Sequence, residues 1–135
     1  MPATFNHGLV KGRNASGPIT KKRFVVRDTA AADGETVKQA ASATTAAEPL
    51  MGVSIFSVSS AEIRHGKGCS VVLSGRAVVT AAAALAVGTP VTSDANGKAV
   101  AAAAGNWLGG VVDEASSGVD TDCSIVIVCD GSKAA

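Results

Sequence analysis

Two stretches of this chain carry nearly the same sequence 54 residues apart. Residues 69–73 (CSVVL) and 123–127 (CSIVI) each begin with Cys-Ser and continue with three apolar residues, mostly β-branched. Residues 34–37 match residues 88–91 at the same separation, and residues 50–53 correspond to 108–111 after a small gap. Each half is too small to bury much surface alone, so the repetition predicts two similar β units, about 30–75 and 84–131, that share one core.

Much of the apolar content of the chain is alanine. Apolar residues make up 47% of the 135 residues, but aromatic residues make up only 3%. Alanine buries little surface, so this single domain should have a thin core and should gain stability by association. The alanine-rich run at 81–87 is too short for more than a turn or two of helix.

Short strand-like segments recur along the chain between glycine-containing turns. They include residues 23–27, 53–58, 69–73, 76–79, 90–92, 107–112 and 123–128. Ser74-Gly75 is expected to form a tight link, residues 94–97 (DANG) a hairpin, and residues 59–62 a single helical turn. This spacing predicts an all-β fold, a small barrel or sandwich built from two similar units with an extended N-terminal arm.

The positive charge of the chain is concentrated at its beginning. Residues 1–27 contain six cations and no acid, which leaves six cations and eleven acids, a net charge of −5, for residues 28–135. We interpret residues 1–22 as an extended basic arm that adds little to the core, and residues 23–135 as a single β domain. Such an arm would lie on an acidic partner surface, or it would be a solvated tail or a charged edge strand. The six cations are Lys11, Arg13, Lys21, Lys22, Arg23 and Arg27.

Three apolar residues are candidates for contacts with a partner. Phe5 and Leu9 are sizeable side chains in the arm, and each could anchor it to a partner or pack on its own domain. Trp107 is the only tryptophan. A buried position is the first expectation for it, and a subunit or partner interface is the alternative, since tryptophan is enriched at binding hot spots.

No arrangement of side chains predicts a catalytic, cofactor-binding or metal site. His7 and His65 are isolated, and the three cysteines are separated by 54 and 6 residues, unlike the close pairs of zinc sites. Asp113 and Glu114 are adjacent, so on a strand they would point to opposite faces and could not share a proton. The cysteines are expected to be reduced and mostly buried.

Two classes of partner are also unexpected from the sequence. Single-strand nucleic-acid binding needs aromatic side chains among the basic ones, and Phe24 is the only aromatic residue in the basic cluster. No apolar run approaches the roughly 18 residues of a membrane-spanning helix, and no secretory signal is visible.

The pattern of small residues over 50–130 resembles small capsid decoration (cement) proteins of tailed phages. An alanine-rich stretch ends at Gly88, a short strand follows, and residues 94–97 form an Asp-x-Asn-Gly hairpin. Residues 108–115 (LGGVVDEA), a glycine-containing loop and a final Val/Ile strand continue the likeness. The arm, residues 1–22, lies outside it.

The resemblance implies a structural virion protein without enzymatic activity. Such a protein is made in the host cytoplasm, binds the outer surface of the phage head and stabilises the lattice by bridging subunits of the major capsid protein, as a homotrimer or a dimer. The alternative is a ligand- or carbohydrate-binding β module, such as the base of a head fibre. The interface candidates are Phe5, Leu9, Lys11, Arg13, Lys21, Lys22, Arg23 and Trp107.

Overall fold

The computed structural model describes residues 7–31, 33, 35–41, 49–129 and 131–134, and this part of the chain is almost entirely β. It contains nine strands and one five-residue helix. The strands are β1 (His7–Arg13), β2 (Phe24–Arg27), β3 (Val37–Gln39), β4 (Leu50–Ser54), β5 (Cys69–Ala81), β6 (Pro90–Ser93), β7 (Ala99–Ala101), β8 (Gly110–Glu114) and β9 (Thr121–Ile127). The helix is α1 (Ser60–Arg64), and its Ser59–Glu62 capping box confirms the predicted single turn.

The strands form two small five-stranded rings that share β5. The second half of β5 pairs with β7 and β9, and with β6 and β8 it closes one ring, which we call barrel 2. The first half pairs with β1 and β4, and β2 and β3 complete the other ring, barrel 1, through a parallel bridge between Ala15 and Val37. The prediction of an all-β barrel fold built from two similar units is confirmed.

The strand pairing of barrel 1 recurs in barrel 2. The antiparallel pairs β2–β3, β2–β4 and β4–β5 correspond to β6–β7, β6–β8 and β8–β9. Gly52 and Gly110 occupy equivalent places, because a Cβ on either would lie within 2.4 Å of a neighbouring carbonyl oxygen, that of Val72 or Val126. The sequence matches of 50–53 with 108–111 and of 69–73 with 123–127 therefore lie at equivalent positions in the two barrels.

The third sequence match, between residues 34–37 and 88–91, does not correspond to equivalent positions. Val37 lies in β3, and its counterpart is Ala99 in β7. Val37 is bridged in parallel to Ala15, just after the first strand of barrel 1, and Ala99 is bridged in parallel to Ala81, at the end of the first strand of barrel 2. Val91 lies in β6, and its counterpart is Val25 in β2, because these two residues face Gly110 and Gly52.

The described part of the predicted arm, residues 7–22, is extended and lies against barrel 1. β1 pairs antiparallel with β5 up to Arg13 opposite Cys69, and Ile19 bridges Val58. Ile19 is 2% exposed and Ala15 is also buried, so the expectation that these residues add little to the core is wrong. Phe5 lies outside the described residues.

One local prediction was wrong because strand pairing overrides local sequence preference. Ser74 and Gly75 do not form a tight link between two strands, since β5 is continuous and Gly75, with a φ of +83°, lies inside it. The alanine-rich run 81–87 stays within the predicted limit of a turn or two of helix and forms none, because Leu85 exchanges backbone hydrogen bonds with Ser116 across barrel 2. The predicted hairpin at residues 94–97 does connect β6 and β7.

The core has two parts. The smaller part fills barrel 1 and includes Ile19, Val25 and Val71. The larger part combines the interior of barrel 2 with the contact between the barrels, where Phe24 is fully buried. The ring of Phe24 packs on the backbone of Gly109, and this contact fixes the barrels against each other.

Candidate interaction surface

The outer edge of β1 is the part of the predicted arm that is open to a partner. Within the described residues, β1 pairs only with β5, so the backbone groups along its other edge form no ladder with a second strand. Leu9 and Val10 are 54% and 42% exposed there, and Lys11 is half-exposed beside them. An edge strand with exposed apolar side chains can accept a strand from another protein.

Lys11 and Arg13 lie on the same face of β1 and share one carboxylate. Lys11 Nζ and Arg13 Nη1 are each 3.5 Å from Glu35 Oε1. The Arg13 side chain is only 11% exposed, and its buried Nε has no hydrogen-bond partner among the described residues. Glu35 therefore compensates the two cations in part and leaves one donor of Arg13 unused.

Lys22 and Arg23 connect the two barrels. Lys22 Nζ lies 2.9 Å from Asp122 Oδ2, and Arg23 Nη1 donates a 3.0 Å hydrogen bond to the carbonyl oxygen of Asn96. Lys21 is exposed, and its backbone amide donates to Ser57 Oγ at 2.9 Å. Lys22 and Arg23 thus have partners within the chain, and the Lys21 side chain points outward from the end of barrel 1.

Trp107 is half-buried against the larger core. Its carbonyl oxygen accepts a 2.6 Å hydrogen bond from Thr92 Oγ1, and Lys133 Nζ lies 4.4 Å from the centroid of its ring. The contact of a cation with the ring face stabilises the C-terminal segment on barrel 2. Trp107 therefore has a structural role within the chain.

An open cleft of about 340 Å³ lies between barrel 1 and the C-terminal segment. Its walls combine apolar side chains with two guanidinium groups. The residues that line it are Arg13, Arg27, Pro49, Leu50, Met51, Leu73, Cys129 and Gly131. Sequence reasoning did not identify this cleft, because its walls come from five separate parts of the chain.

Burial and hydrogen bonds within the chain shift the pKa values of several titratable groups among the described residues. Burial raises the pKa of the Cys69 and Cys123 thiols, which keeps them protonated at neutral pH. A hydrogen bond from Lys98 lowers the pKa of the exposed Asp120. Asp113 pairs with Arg76 at 3.2 Å.

The part of the chain that the structure describes contains neither a cluster of metal ligands nor a membrane-spanning helix. No group of three or more His, Cys, Asp or Glu side chains is placed to hold a metal ion. No helix in this part of the chain is long and apolar enough to cross a membrane.

Comparison with known protein families identifies the family of this chain. The model of the phage cement protein family matches residues 14–128. The chain belongs to this family. The resemblance noted in the sequence is confirmed, and the protein is a structural protein associated with the phage head.

A solved structure shares the fold of this cement protein. The N base of the head fibre gp8.5 of bacteriophage phi29 superposes with a TM-score of 0.63 at 17% identity, over 93% of this chain and 98% of that chain. At this identity the likeness shows the fold alone. No curated protein matches the chain.

Proposed function

We propose that the protein binds the outer surface of the phage head and stabilises the capsid by bridging subunits of the major capsid protein. The family match over 14–128 carries the proposal, because it covers barrel 2 and all of barrel 1 except β1, and it includes four of the six cations of residues 1–27. The proposed partners are the major capsid protein and further copies of this chain, as a homotrimer or a dimer. The protein would be made in the host cytoplasm and reside on the outer capsid surface.

The outer edge of β1 supports a specific mode of attachment. Its free backbone groups can pair with an exposed strand of a capsid subunit, and Leu9 can pack on that subunit. Lys11 and Lys21 would attract the protein to an acidic capsid surface, and Phe5 and Arg13 are proposed as further contacts. Lys22 and Arg23, with partners inside the chain, and Trp107, covered by Lys133, are proposed to contribute less.

Stabilisation of the head follows from the geometry of a lattice. Each copy makes a contact of moderate strength with more than one capsid subunit, and copies bound over the whole head add their effects by avidity. A protein that binds only the assembled lattice shifts the equilibrium toward assembly by mass action. The charged part of the contact should weaken as salt increases, and the apolar part at Leu9 should persist.

The proposal is tested with heads that lack the protein. Leu9→Asp and Lys11→Glu should each reduce the amount of protein that co-sediments with heads and the temperature at which those heads release DNA. Lys38→Glu is the matched control, since Lys38 is an exposed lysine on β3 outside the β1 edge. If both β1 variants bound like the wild-type protein, or if Lys38→Glu reduced binding equally, the β1 edge would not be the attachment surface.

The second candidate function is the base of a head fibre that carries a ligand-binding module. The fold likeness to the phi29 fibre base favours it. No aromatic residue is among those that line the cleft, although such side chains usually form the platform of a carbohydrate site. Decorated and undecorated heads should adsorb equally to host cells if the protein only stabilises the capsid, whereas faster adsorption of decorated heads would support the fibre function.

A further inference from the structure

One row of barrel 1 is buried by the contact between the barrels. Phe24, Val53 and Val72 lie directly opposite one another on β2, β4 and β5, so their side chains share one face of the sheet. All three are at most 1% exposed. They belong to the larger core, and the Phe24 ring packs on Gly109 of barrel 2.

The equivalent row of barrel 2 is open to solvent. Pro90 is opposite Val111, and Val111 is opposite Val126, in the same strands by the repeated pairing. Pro90 is exposed, Val111 is half-buried and Val126 is 40% exposed. The exposed row Pro90–Val111–Val126 of barrel 2 is therefore equivalent to the buried row of barrel 1 that contacts the other barrel.

The receiving side of that contact also has an open equivalent. Gly109, which receives Phe24, directly precedes Gly110, and its counterpart Met51 directly precedes Gly52. Met51 lines the open cleft of barrel 1. The chain thus presents both halves of its own barrel contact at separate places.

We infer that copies of this protein associate head to tail, with the Pro90–Val111–Val126 row of one copy packed into the Met51 cleft of the next. The sizes are complementary, because a large Phe24 meets Gly109 within the chain, whereas a smaller Pro90 would meet the larger Met51 between chains. The charges are also complementary, since the exposed Arg27 lines the cleft and β8, which carries Val111, ends with the exposed Glu114.

This arrangement differs from a symmetric dimer in one measurable respect. A head-to-tail contact uses two different surfaces, so it can continue from copy to copy and close into a ring. A trimeric ring would present all its β1 edges in equivalent positions around one axis. The inference concerns the isolated protein in solution, and its outcome does not depend on whether the capsid is the partner of β1.

The test blocks each surface separately. Val126→Asp alters the exposed row, and Arg27→Glu and, separately, Met51→Glu alter the cleft. Val119→Asp is the matched control, because Val119 is 68% exposed in the loop before β9 and lies outside both surfaces. Sedimentation velocity gives the mass of each protein, and circular dichroism melting shows that each variant is folded.

We expect the wild-type protein and Val119→Asp to form oligomers, and Val126→Asp and Arg27→Glu each to be monomeric. An equal mixture of these two monomeric variants should form dimers, because each keeps the surface that the other lacks. A monomeric wild-type protein would overturn the inference. A second pattern would also overturn it: Val126→Asp is monomeric, the folded variants Arg27→Glu and Met51→Glu remain oligomeric, and mixing Val126→Asp with Arg27→Glu forms no new dimer. That pattern describes a symmetric contact.

Discussion

Gly109→Ala should loosen the contact between the two barrels. A Cβ at residue 109 would lie 2.4 Å from Cε1 and 2.5 Å from Cζ of Phe24, and 3.0 Å from Cδ1 of Leu50. Real Cβ atoms essentially never approach other atoms within 3.0 Å, so the ring must move. Phe24 is fully buried and cannot swing into solvent, so its displacement disturbs the larger core.

The expected loss of stability is about 1–3 kcal/mol, the usual cost of overpacking a core by one methyl group. For a domain of this size that loss corresponds to a melting temperature lower by roughly 3–12 °C. Phe24→Leu should cost about 1–2 kcal/mol alone, because it leaves a cavity. In the double variant the smaller side chain makes room for the methyl group, so the combined loss should be smaller than the sum by about 1 kcal/mol.

Urea unfolding of the four proteins measures these differences, and Gly118→Ala is the matched control. A Cβ at Gly118 would meet no atom within 4 Å, so this variant should unfold like the wild-type protein. The reasoning is refuted if Gly109→Ala is as stable as the control, or if the effects of Gly109→Ala and Phe24→Leu are strictly additive.

Deleting residues 2–17 removes all of β1 from barrel 1, so it should lower the stability by more than about 2 kcal/mol in urea unfolding as well as weaken head binding; unchanged stability would contradict this. Iodoacetamide should modify Cys129 before the buried Cys69 and Cys123, whose thiol pKa values are raised; equal rates by mass spectrometry would argue against it. The pKa of the Asp120 carboxyl is lower in the folded protein than in the unfolded chain, so the ionised group stabilises the fold at pH values above the unfolded pKa, and this stability is lost as the pH falls through the folded pKa. Asp120→Asn should therefore make the stability fall less steeply with decreasing pH in the acid range. An unchanged dependence on pH would exclude this.

Those parts of the fold that depend on neighbouring residues could be predicted from the sequence. The hairpin at 94–97 and the single helical turn that starts at 59–62 are both determined within five residues, and both were predicted correctly. The β character followed from the placement of glycine, threonine and valine despite the alanine content. The run 81–87 shows the limit, because Leu85 is fixed by Ser116, which is distant in sequence.

The sequence alone could not show which residues of the two units are equivalent where the strands are short. β3 and β7 contain three residues each, too few for an alternating pattern to distinguish one register from the next. The Cys-Ser matches were reliable because they lie in long strands, β5 with 13 residues and β9 with seven. A chance match of Val37 with Val91 was equally visible in the sequence, and only the pairing of the strands identifies it as coincidental.

The sequence predicts where the basic residues of the candidate surface lie, but not which acidic residues of the chain pair with them. Counting cations locates the basic segment, whereas the acids that neutralise parts of it lie far along the chain. Lys22 pairs with Asp122, which is 100 residues away, and Arg13 pairs with Glu35. Long-range ion pairs of this kind leave no periodic signal in a single sequence.

The differences between the two barrels explain why β1 can carry two of the N-terminal cations. Cys69 is opposite Arg13 in barrel 1, and its counterpart Cys123 is opposite Val79 in barrel 2. The first strand of barrel 2 is the second half of β5, where Ala77, Val79 and Ala81 are buried and apolar. The first strand of barrel 1 is β1, which has an open edge and can carry Lys11 and Arg13 at little cost. β1 therefore carries two of the six cations of residues 1–27, and any partner that recognises these two meets the folded barrel beneath them.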